Sequence, residues 1–291
     1  MDEWKPLDTF TEEDANSNSY ERTWKIGPHH STVVAKFNTR CTEVCVLETR
    51  DFGKVVMLDG EIQSTAADQE FYHQSLCRPA LACGQGPIKR VLILGGGELC
   101  TLKQVLAWPD VEHVDMVDYD QTFVEFAKRR LRDWHGDCYK DERAHLHFAD
   151  AWSWSSSEQY DSIIVDLTDI SLDADKWPRE VEHWASLMHN MMKLLRPNGS
   201  MSIYVGMFIS WKSEAMVAAY KALKAVMVEQ GRSEYMQPYR VFVPSFASGE
   251  AFFLCVGAQS IKDSIDRFKG SLFGPQEATR SIIWPDGFEF E

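Results

Sequence analysis

The segment VLILGGGELC, Val91 to Cys100, is the most informative stretch of this chain. A hydrophobic run that ends in three glycines is typical of a buried strand followed by a loop that lies close to a nucleotide. The next residue, Glu98, is a carboxylate that would repel a pyrophosphate at the same loop. The loop also lacks the third glycine of G-x-G-x-x-G, and no Lys or Ser follows it directly, as one would in a P-loop. The segment therefore predicts a strand and a loop for a nucleoside that carries a cationic tail.

Strands and helices alternate on the C-terminal side of this loop. The predicted strands are RVLILGGG, HVDMVDYD, AHLHFAD, YDSIIVDLTD and SMSIYVG, and the helices among them include TLKQVLAW, TFVEFAKRRLRDW and VEHWASLMHNMMKLL. After the helix SEAMVAAYKALKAVMVEQ, the strands YRVFVP and AFFLCVG are expected to form an antiparallel pair. This alternation predicts an α/β fold with a doubly wound, mostly parallel sheet.

The N-terminal part has a different pattern. Residues 31–37 and 43–58 are rich in β-formers, and the turn signals RDFG and Asp59-Gly60 predict hairpins between short strands. A helix is expected over residues 66–82, interrupted by Pro79. The following GQGP segment is typical of a boundary, so we expect a β-rich domain over residues 1–85 and a larger domain over residues 86–291.

Carboxylates recur where successive predicted strands end. They are Glu98 after the first strand, Asp118 and Asp120 on the second, Asp150 after the third, and Asp166 and Asp169 after the fourth. Ligands of such sheets bind outside the carboxyl ends of the strands, so these residues are candidate site residues. Asp118 lies 21 residues after Gly97, a spacing typical of a carboxylate that binds a ribose diol. S-adenosylmethionine and its decarboxylated form both combine a ribose, an adenine and a cationic tail, and the decarboxylated form keeps only positive charge on that tail.

The composition narrows the class of partners. The chain has 291 residues and a net charge of −14, which disfavours nucleic acid and anionic membranes as partners. No apolar run reaches the ~18 to 20 residues that a membrane span needs. The seven scattered cysteines fit reduced thiols in a cytoplasmic protein. Cys41 and Cys45 stand close together, but no second cysteine pair accompanies them, so we expect no metal site.

The stretch FGKVVMLDGEIQSTAADQEFYHQSL carries the most specific resemblance to a known family. It resembles the pattern F-G-x-x-x-x-L-D-G-x-x-Q, followed by D-E-x-x-Y-H-E, of the spermidine synthase-type aminopropyltransferases. LGGGE, VDYD, FADAW and VDLTD are similar to further motifs of the same family, and the resemblance covers roughly residues 20 to 260. It implies a small β-rich N-terminal domain and a Rossmann-like catalytic domain of the S-adenosylmethionine-dependent methyltransferase type. It also implies transfer of an aminopropyl group from decarboxylated S-adenosylmethionine to an amine.

The resemblance implies a role for each matching residue. On the donor side, it implies contacts by Gln63, His73, Gly95, Gly97, Glu98, Asp118, Asp150 and Ala151. Among these, Glu98 would bind the amino group of the donor, Asp118 its ribose and Asp150 its adenine. The catalytic residues implied are Asp166, which would orient the attacking amine and accept its proton, together with Tyr72 and Asp169.

The departures from the family pattern keep most charges on the donor side but change polar groups on the acceptor side. GGGELC stands where the family has G-G-G-D-G-G, so Leu99 and Cys100 replace glycines. Tyr204 occupies the place of a glutamine that contacts the acceptor, and Phe246 replaces a tyrosine. We expect Asp68, Tyr204 and Phe246 to bind the acceptor, and we expect an acceptor specificity that differs from the usual one.

Two other functions stay open at this point. An S-adenosylmethionine-dependent amine N-methyltransferase could use the same scaffold, although Glu98 favours a donor without a carboxylate of its own. A catalytically weak regulatory homologue is the third interpretation, and the retention of Tyr72, Asp166 and Asp169 argues against it. The expected partner is a small amine or polyamine, and the resemblance implies a homodimer or homotetramer.

Overall fold

The computed structural model describes residues 31–167, 177–208, 214–232, 234–246 and 250–284. The chain divides into two compact units, Met1–Gln69 with Pro244–Ala247 and Glu70–Val243 with Ser248–Glu291. The second unit therefore begins at Glu70, before the boundary expected at residue 85. The reason lies in helix α1 (Gln69–Ala82), whose Ala80 carbonyl accepts hydrogen bonds from Ser162 and Ser200 of the large sheet. As a division into separately folding domains, the boundary at residue 85 stays a prediction.

The first unit contains a four-stranded antiparallel sheet in the order β1-β2-β3-β4. Its strands are β1 Ser31–Asn38, β2 Glu43–Thr49, β3 Gly53–Leu58 and β4 Glu61–Thr65. The predicted turn at Asp59-Gly60 is confirmed, with φ values of 50° and 83° that suit a two-residue hairpin loop.

The second unit contains a seven-stranded sheet in the order β10-β11-β9-β8-β5-β6-β7. Its strands are β5 Arg90–Gly95, β6 His113–Asp118, β7 Ala144–Phe148, β8 Tyr160–Asp166, β9 Leu195–Phe208, β10 Tyr235–Phe242 and β11 Glu250–Gly257. The further helices are α2 Cys100–Leu106, α3 Gln121–Arg130, α4 Arg132–His135, α5 Trp177–Leu194, α6 Glu214–Glu229 and α7 Pro275–Ser281. Strands β5 to β9 pair in parallel, whereas β10 and β11 pair antiparallel. The predicted Rossmann-like α/β fold is confirmed.

One face of helix α5 is buried against the large sheet, as its sequence pattern predicts. Its methionines and aromatic residues recur at helical spacing, which predicted a core face. The side chains of Trp184, Leu187, Met188 and Met191 are at most 5% exposed and belong to one cluster with residues of the sheet. This prediction is confirmed.

Helix α1 continues through Pro79, contrary to the predicted interruption. A proline lacks the N–H that would bond the carbonyl four residues earlier, which here belongs to Ser75. The hydroxyl of Tyr239 donates to that carbonyl at 3.0 Å and also bonds the hydroxyl of Ser202 at 2.7 Å. A buried side chain on β10 thus supplies the bond that the proline removes, and the helix does not break.

No helix among the described residues is long and apolar enough to cross a membrane.

Candidate active site

The loop after β5 brings two strand ends together. Gly95 has a φ of 82°, and a Cβ there would lie 2.0 Å from the backbone oxygen of Asp166. A Cβ on Gly97 would lie 2.8 Å from the Phe123 ring and 3.0 Å from the Asp118 carboxylate. The glycines are therefore required by the close approach of the chain itself, and this approach places Asp118 and Asp166 beside the loop.

Asp166 is held by two hydroxyl groups of the second unit. Tyr72 donates to its Oδ1 at 3.2 Å, and Thr101 donates to its Oδ2 at 2.5 Å. Tyr72 lies on α1 and Thr101 lies in the first turn of α2, so two helices orient one half-buried carboxylate. The resemblance implied both Tyr72 and Asp166 as catalytic residues. It did not indicate Thr101, because a hydroxyl in a first helical turn is common and only the neighbouring strand end gives it a partner.

Glu98 and His73 form the buried charged part of the loop. They are 7% and 2% exposed, and His73 Nε2 lies 3.9 Å from Glu98 Oε2. The His73 ring packs edge-on against Tyr72, with ring centroids 5.0 Å apart. The structure thus brings together His73, Glu98, Tyr72 and Asp166, which the sequence assigned to the donor and to the reaction.

The two residues after Glu98 differ from small glycines in their effect on the loop. Leu99 is fully buried and has a φ of 69°, a left-handed conformation that costs roughly 1 to 2 kcal/mol outside glycine. Its N–H donates to the Gly96 carbonyl at 2.7 Å. Burial raises the pKa of the Cys100 thiol well above its ordinary value, and the charge of Glu98 adds to this effect. His73, Glu98 and Cys100 each offer one metal-ligand atom, and these atoms lie within 4.8 Å of one another.

Asp118 has the carboxylate with the clearest electrostatic perturbation beside the loop. Burial raises its pKa to about 6, although the backbone N–H groups of Asp120 and Gly97 stabilise the charged form. The N–H of Asp120 donates to Asp118 Oδ1 at 2.8 Å. Asp120 itself accepts a hydrogen bond from the Phe123 N–H at 3.0 Å and is the N-cap of α3. Of this predicted pair, Asp118 is the one that faces the glycine loop.

Asp150 caps a single turn of 3₁₀-helix, Ala151–Ser153, and accepts from the Trp152 N–H at 3.0 Å. It is exposed, whereas Ala151 is buried. The Trp152 ring stacks on His183 with ring centroids 4.4 Å apart. An adenine contact at Asp150 and Ala151 stays a prediction.

The aromatic ring of Tyr204 packs next to Tyr72, whose hydroxyl donates to Asp166. Tyr204 lies on β9 and is 6% exposed. Its ring centroid lies 5.6 Å from that of Tyr72 and 5.6 Å from that of Phe253. A planar ring therefore stands at the position for which the sequence predicted a change of acceptor contact.

The remaining predicted site residues are not among the described residues of the second unit. Gln63, Asp68 and Phe246 belong to the first unit, and Asp169 lies outside the described residues. The Asp68 carboxylate accepts hydrogen bonds from Thr65, at 2.7 Å, and from the N–H and hydroxyl of Ser245, at 2.8 and 3.0 Å. Asp68 thereby ties Ser245 to β4, and its predicted contact with an acceptor stays a prediction, as do those of Gln63 and Phe246.

The chain matches the sequence profile of the Spermine/spermidine synthase domain over residues 69–264. It is 35% identical over 185 residues to a polyamine aminopropyltransferase from Sulfolobus acidocaldarius, covering 63% of this chain and 60% of that protein. It is 34% identical over 203 residues to a polyamine aminopropyltransferase from Saccharolobus solfataricus, covering 69% of this chain and 66% of that protein. The chain thus spans 60% to 66% of the length of these curated relatives.

Two solved structures show the same fold. A spermidine synthase from Thermotoga maritima superimposes with a TM-score of 0.72 at 20% identity, covering 87% of this chain and 85% of that chain. A spermidine synthase in complex with the transition state analogue AdoDATO superimposes with the same TM-score of 0.72 at 21% identity, covering 87% of this chain and 86% of that chain.

Proposed function

Because the chain belongs to the spermine/spermidine synthase family, we propose that it transfers an aminopropyl group from decarboxylated S-adenosylmethionine to an amine. The observation that carries this proposal is the Asp166 carboxylate, held by Tyr72 and Thr101 beside the loop that bears Glu98. It combines an acceptor for the proton of an amine with a buried negative charge for a cationic donor.

The reaction needs alignment and one proton acceptor. The lone pair of the acceptor amine attacks the carbon bonded to the sulfonium, a C–N bond forms, and the C–S bond breaks with its electron pair on sulfur. The leaving thioether is neutral and needs no acid. The alignment of two bound reactants alone can supply ~7 to 11 kcal/mol of the barrier reduction.

Asp166 accepts the proton in this scheme. Free alkylamines have a pKa of about 10.4, like lysine, so a bound ammonium needs a base before or during attack. Each carboxylate oxygen has two lone pairs, so Tyr72 and Thr101 occupy one on each oxygen and leave capacity for an ammonium. Tyr72 and Thr101 then fix the direction in which the carboxylate meets the amine.

On the donor side, we assign a different part of the donor molecule to each carboxylate. We place the amino group of the donor at Glu98, its ribose at Asp118 and its adenine at Asp150 and Ala151, with Gln63 and His73 along the aminopropyl arm. Glu98 favours the decarboxylated donor, because the intact donor would bring its own carboxylate to a buried negative charge. An S-adenosylmethionine-dependent amine N-methyltransferase is therefore the second candidate.

The acceptor side supports an altered specificity. Tyr204 packs against Tyr72 and Phe253, so it offers a ring face or edge where an amide would offer hydrogen bonds. An aromatic ring attracts an ammonium through its π face by ~0.5 to 2 kcal/mol without a directed hydrogen bond. We place the amine acceptor beside Tyr204, with Asp68, Phe246 and Asp169 as further candidate contacts.

We also propose that the enzyme is cytoplasmic.

A panel of acceptors tests the function. The protein is incubated with decarboxylated S-adenosylmethionine and a series of monoamines, diamines and polyamines, and the products are identified by mass. We expect at least one acceptor to gain an aminopropyl group, and the Asp166→Asn variant to lose nearly all turnover while it still binds the donor. Near-normal turnover of Asp166→Asn would contradict the assigned base, and no product with any acceptor would contradict the function.

A substitution at Tyr204 tests the proposed acceptor site. Tyr204→Gln restores the amide that the family pattern has at this place, so we expect it to change the order of preferred acceptors while the KM for the donor stays constant. An unchanged order would remove Tyr204 from the acceptor site.

A further inference from the structure

One cluster of side chains beside the glycine loop combines three kinds of metal ligand. The imidazole of His73, the carboxylate of Glu98 and the thiol of Cys100 place one ligand atom each within 4.8 Å of the other two. All three residues are buried, at 2%, 7% and 0% exposure. Nitrogen, oxygen and sulfur ligands of this kind suit Zn²⁺ and similar borderline ions, which three protein ligands and one water can hold in a tetrahedron.

The local sequence explains how the cluster arises. Glu98 and Cys100 stand on either side of Leu99, whose left-handed backbone turns the chain sharply into α2. The Cys100 sulfur lies 3.8 Å from the Glu98 carbonyl oxygen, so the two residues stay close across this turn. His73 comes from α1, so the cluster joins a helix to the loop. A glycine at position 100, as in the family pattern, would have no sulfur to contribute.

A second group, of two histidines around one aspartate, differs from this cluster because it needs no metal ion. Asp115 accepts hydrogen bonds from His113 and His147, at 2.9 and 2.8 Å, and also from Arg90 and Tyr160, at 3.2 and 3.0 Å. A guanidinium already supplies the positive charge there, so this group is explained without an ion. At the His73, Glu98 and Cys100 cluster, by contrast, no guanidinium is among the three side chains, and their ligand atoms lie within 4.8 Å of one another.

We propose that His73, Glu98 and Cys100 bind a thiophilic divalent cation such as Zn²⁺, and that this cation and the aminopropyl donor exclude one another. The exclusion rests on the proposed function, because Glu98 is where the amino group of the donor is placed. Two cations at one buried carboxylate repel each other, so each lowers the affinity for the other. The cation is thereby an inhibitor that competes with the donor.

A metal ion binds the thiolate form of cysteine. The Cys100 thiol therefore gives up its proton to solvent when the metal–sulfur bond forms.

Cobalt titration of the full chain tests the site itself. Co²⁺ bound to a thiolate has a sulfur-to-metal charge-transfer band in the near ultraviolet, which reports the Cys100 contact directly. We expect a saturable band at one ion per chain, its loss in Cys100→Ser and Cys100→Gly, and at least about tenfold weaker binding in His73→Gln. Cys100→Gly carries the residue of the family pattern, so it controls for a folding defect in the serine variant.

Cys138→Ser is the matched control. Cys138 lies next to the cluster, with its sulfur 3.3 Å from the Leu99 carbonyl oxygen, but it is not one of the three ligands. The variant is expected to keep the cobalt band. A band that survives in both Cys100 variants, or that disappears in Cys138→Ser, would overturn the proposed site.

Competition with the donor separates this inference from the proposed function. We expect decarboxylated S-adenosylmethionine to raise the apparent dissociation constant of Co²⁺ in proportion to its concentration. If the band depends on Cys100 but the donor leaves it unchanged, the exclusion is wrong while the cation site stands. If no band forms while aminopropyl transfer proceeds, the cation site is wrong and the proposed function stands.

Discussion

At the scale of single residues, the main feature of the site is the Asp166 carboxylate with its two hydroxyl donors. Tyr72 and Thr101 donate to different oxygens of the carboxylate, so the loss of either donor leaves it free to rotate away from the amine. A hydrogen bond to a charged group contributes about 1.5 to 3 kcal/mol. Orientation of this carboxylate is therefore a property of three residues rather than of one.

The first prediction concerns Thr101, which we regard as a positioning residue. Thr101→Val removes the hydroxyl at nearly constant volume, and we expect kcat to fall about tenfold or more while the KM for the donor changes little. Thr101→Ser keeps the hydroxyl and is expected to retain most of kcat. If steady-state kinetics show the same loss in the serine variant, Thr101 acts through packing and the assignment is wrong.

The second prediction concerns Asp118 and pH. Its pKa is raised to about 6 by burial, so the carboxyl is largely neutral below that pH and charged above it. A charged carboxylate accepts hydrogen bonds from a ribose diol more strongly, so the affinity for the donor should rise as pH increases through about 6. The measurement is the KM for the donor between pH 5 and 8.

Asp118→Asn is the control for that measurement. The amide does not titrate, so we expect a raised KM without the pH step. A step that persists in this variant would assign the titration to another group.

Much of this site could be predicted from single residues, but not all of it. Tyr72, His73, Glu98 and Asp166 stand in recognisable motifs, and the structure brings them together. Thr101 has no such motif, because its role depends on a strand end that is distant in sequence. The Asp68 carboxylate binds Thr65 and Ser245 within the first unit, contacts that its motif did not indicate, and its acceptor contact stays a prediction.

At the scale of secondary-structure elements, helix α1 shows where sequence reasoning about proline stops. A proline removes a backbone donor, and from sequence this predicted an interruption at Pro79. Whether a helix breaks depends on a replacement donor for the carbonyl of Ser75, and Tyr239 supplies it from a strand far away in the chain. That information is tertiary, so no local pattern contains it.

The third prediction is a double-mutant cycle on this contact. Tyr239→Phe leaves the Ser75 carbonyl without its donor and the Ser202 hydroxyl without its acceptor, and we expect a loss of about 1 to 3 kcal/mol in the free energy of unfolding. Pro79→Ala restores an N–H for Ser75, so Tyr239→Phe should cost less in that background. Urea denaturation measures both values, and equal costs in the two backgrounds would show that the tyrosine does not compensate for the proline.

At the scale of the whole molecule, the alternation of strands and helices was sufficient to predict the α/β class. The carboxyl ends of parallel strands meet at one edge of a sheet, which is why carboxylates dispersed in sequence come together. The order β10-β11-β9-β8-β5-β6-β7 was not predicted, because it depends on which strands pair across long connections. The strand predicted as SMSIYVG begins five residues earlier in the structure, because β9 starts at Leu195 and includes the segment RPNG.

The fourth prediction concerns assembly. The resemblance to the aminopropyltransferases implies a homodimer or homotetramer, and we expect light scattering to give a multiple of the mass of one chain. A single species of monomer mass at micromolar concentration would contradict it.

The central claim is that the buried carboxylate of Glu98 selects a donor without a carboxylate of its own. Its most direct test is one reaction that contains equal concentrations of decarboxylated and intact S-adenosylmethionine with a reactive amine, with the products identified by mass. We predict that the product carries an aminopropyl group and no added methyl group, and that Asp166→Asn forms almost none of it. A product that carries a methyl group, with no aminopropyl product, would contradict the account.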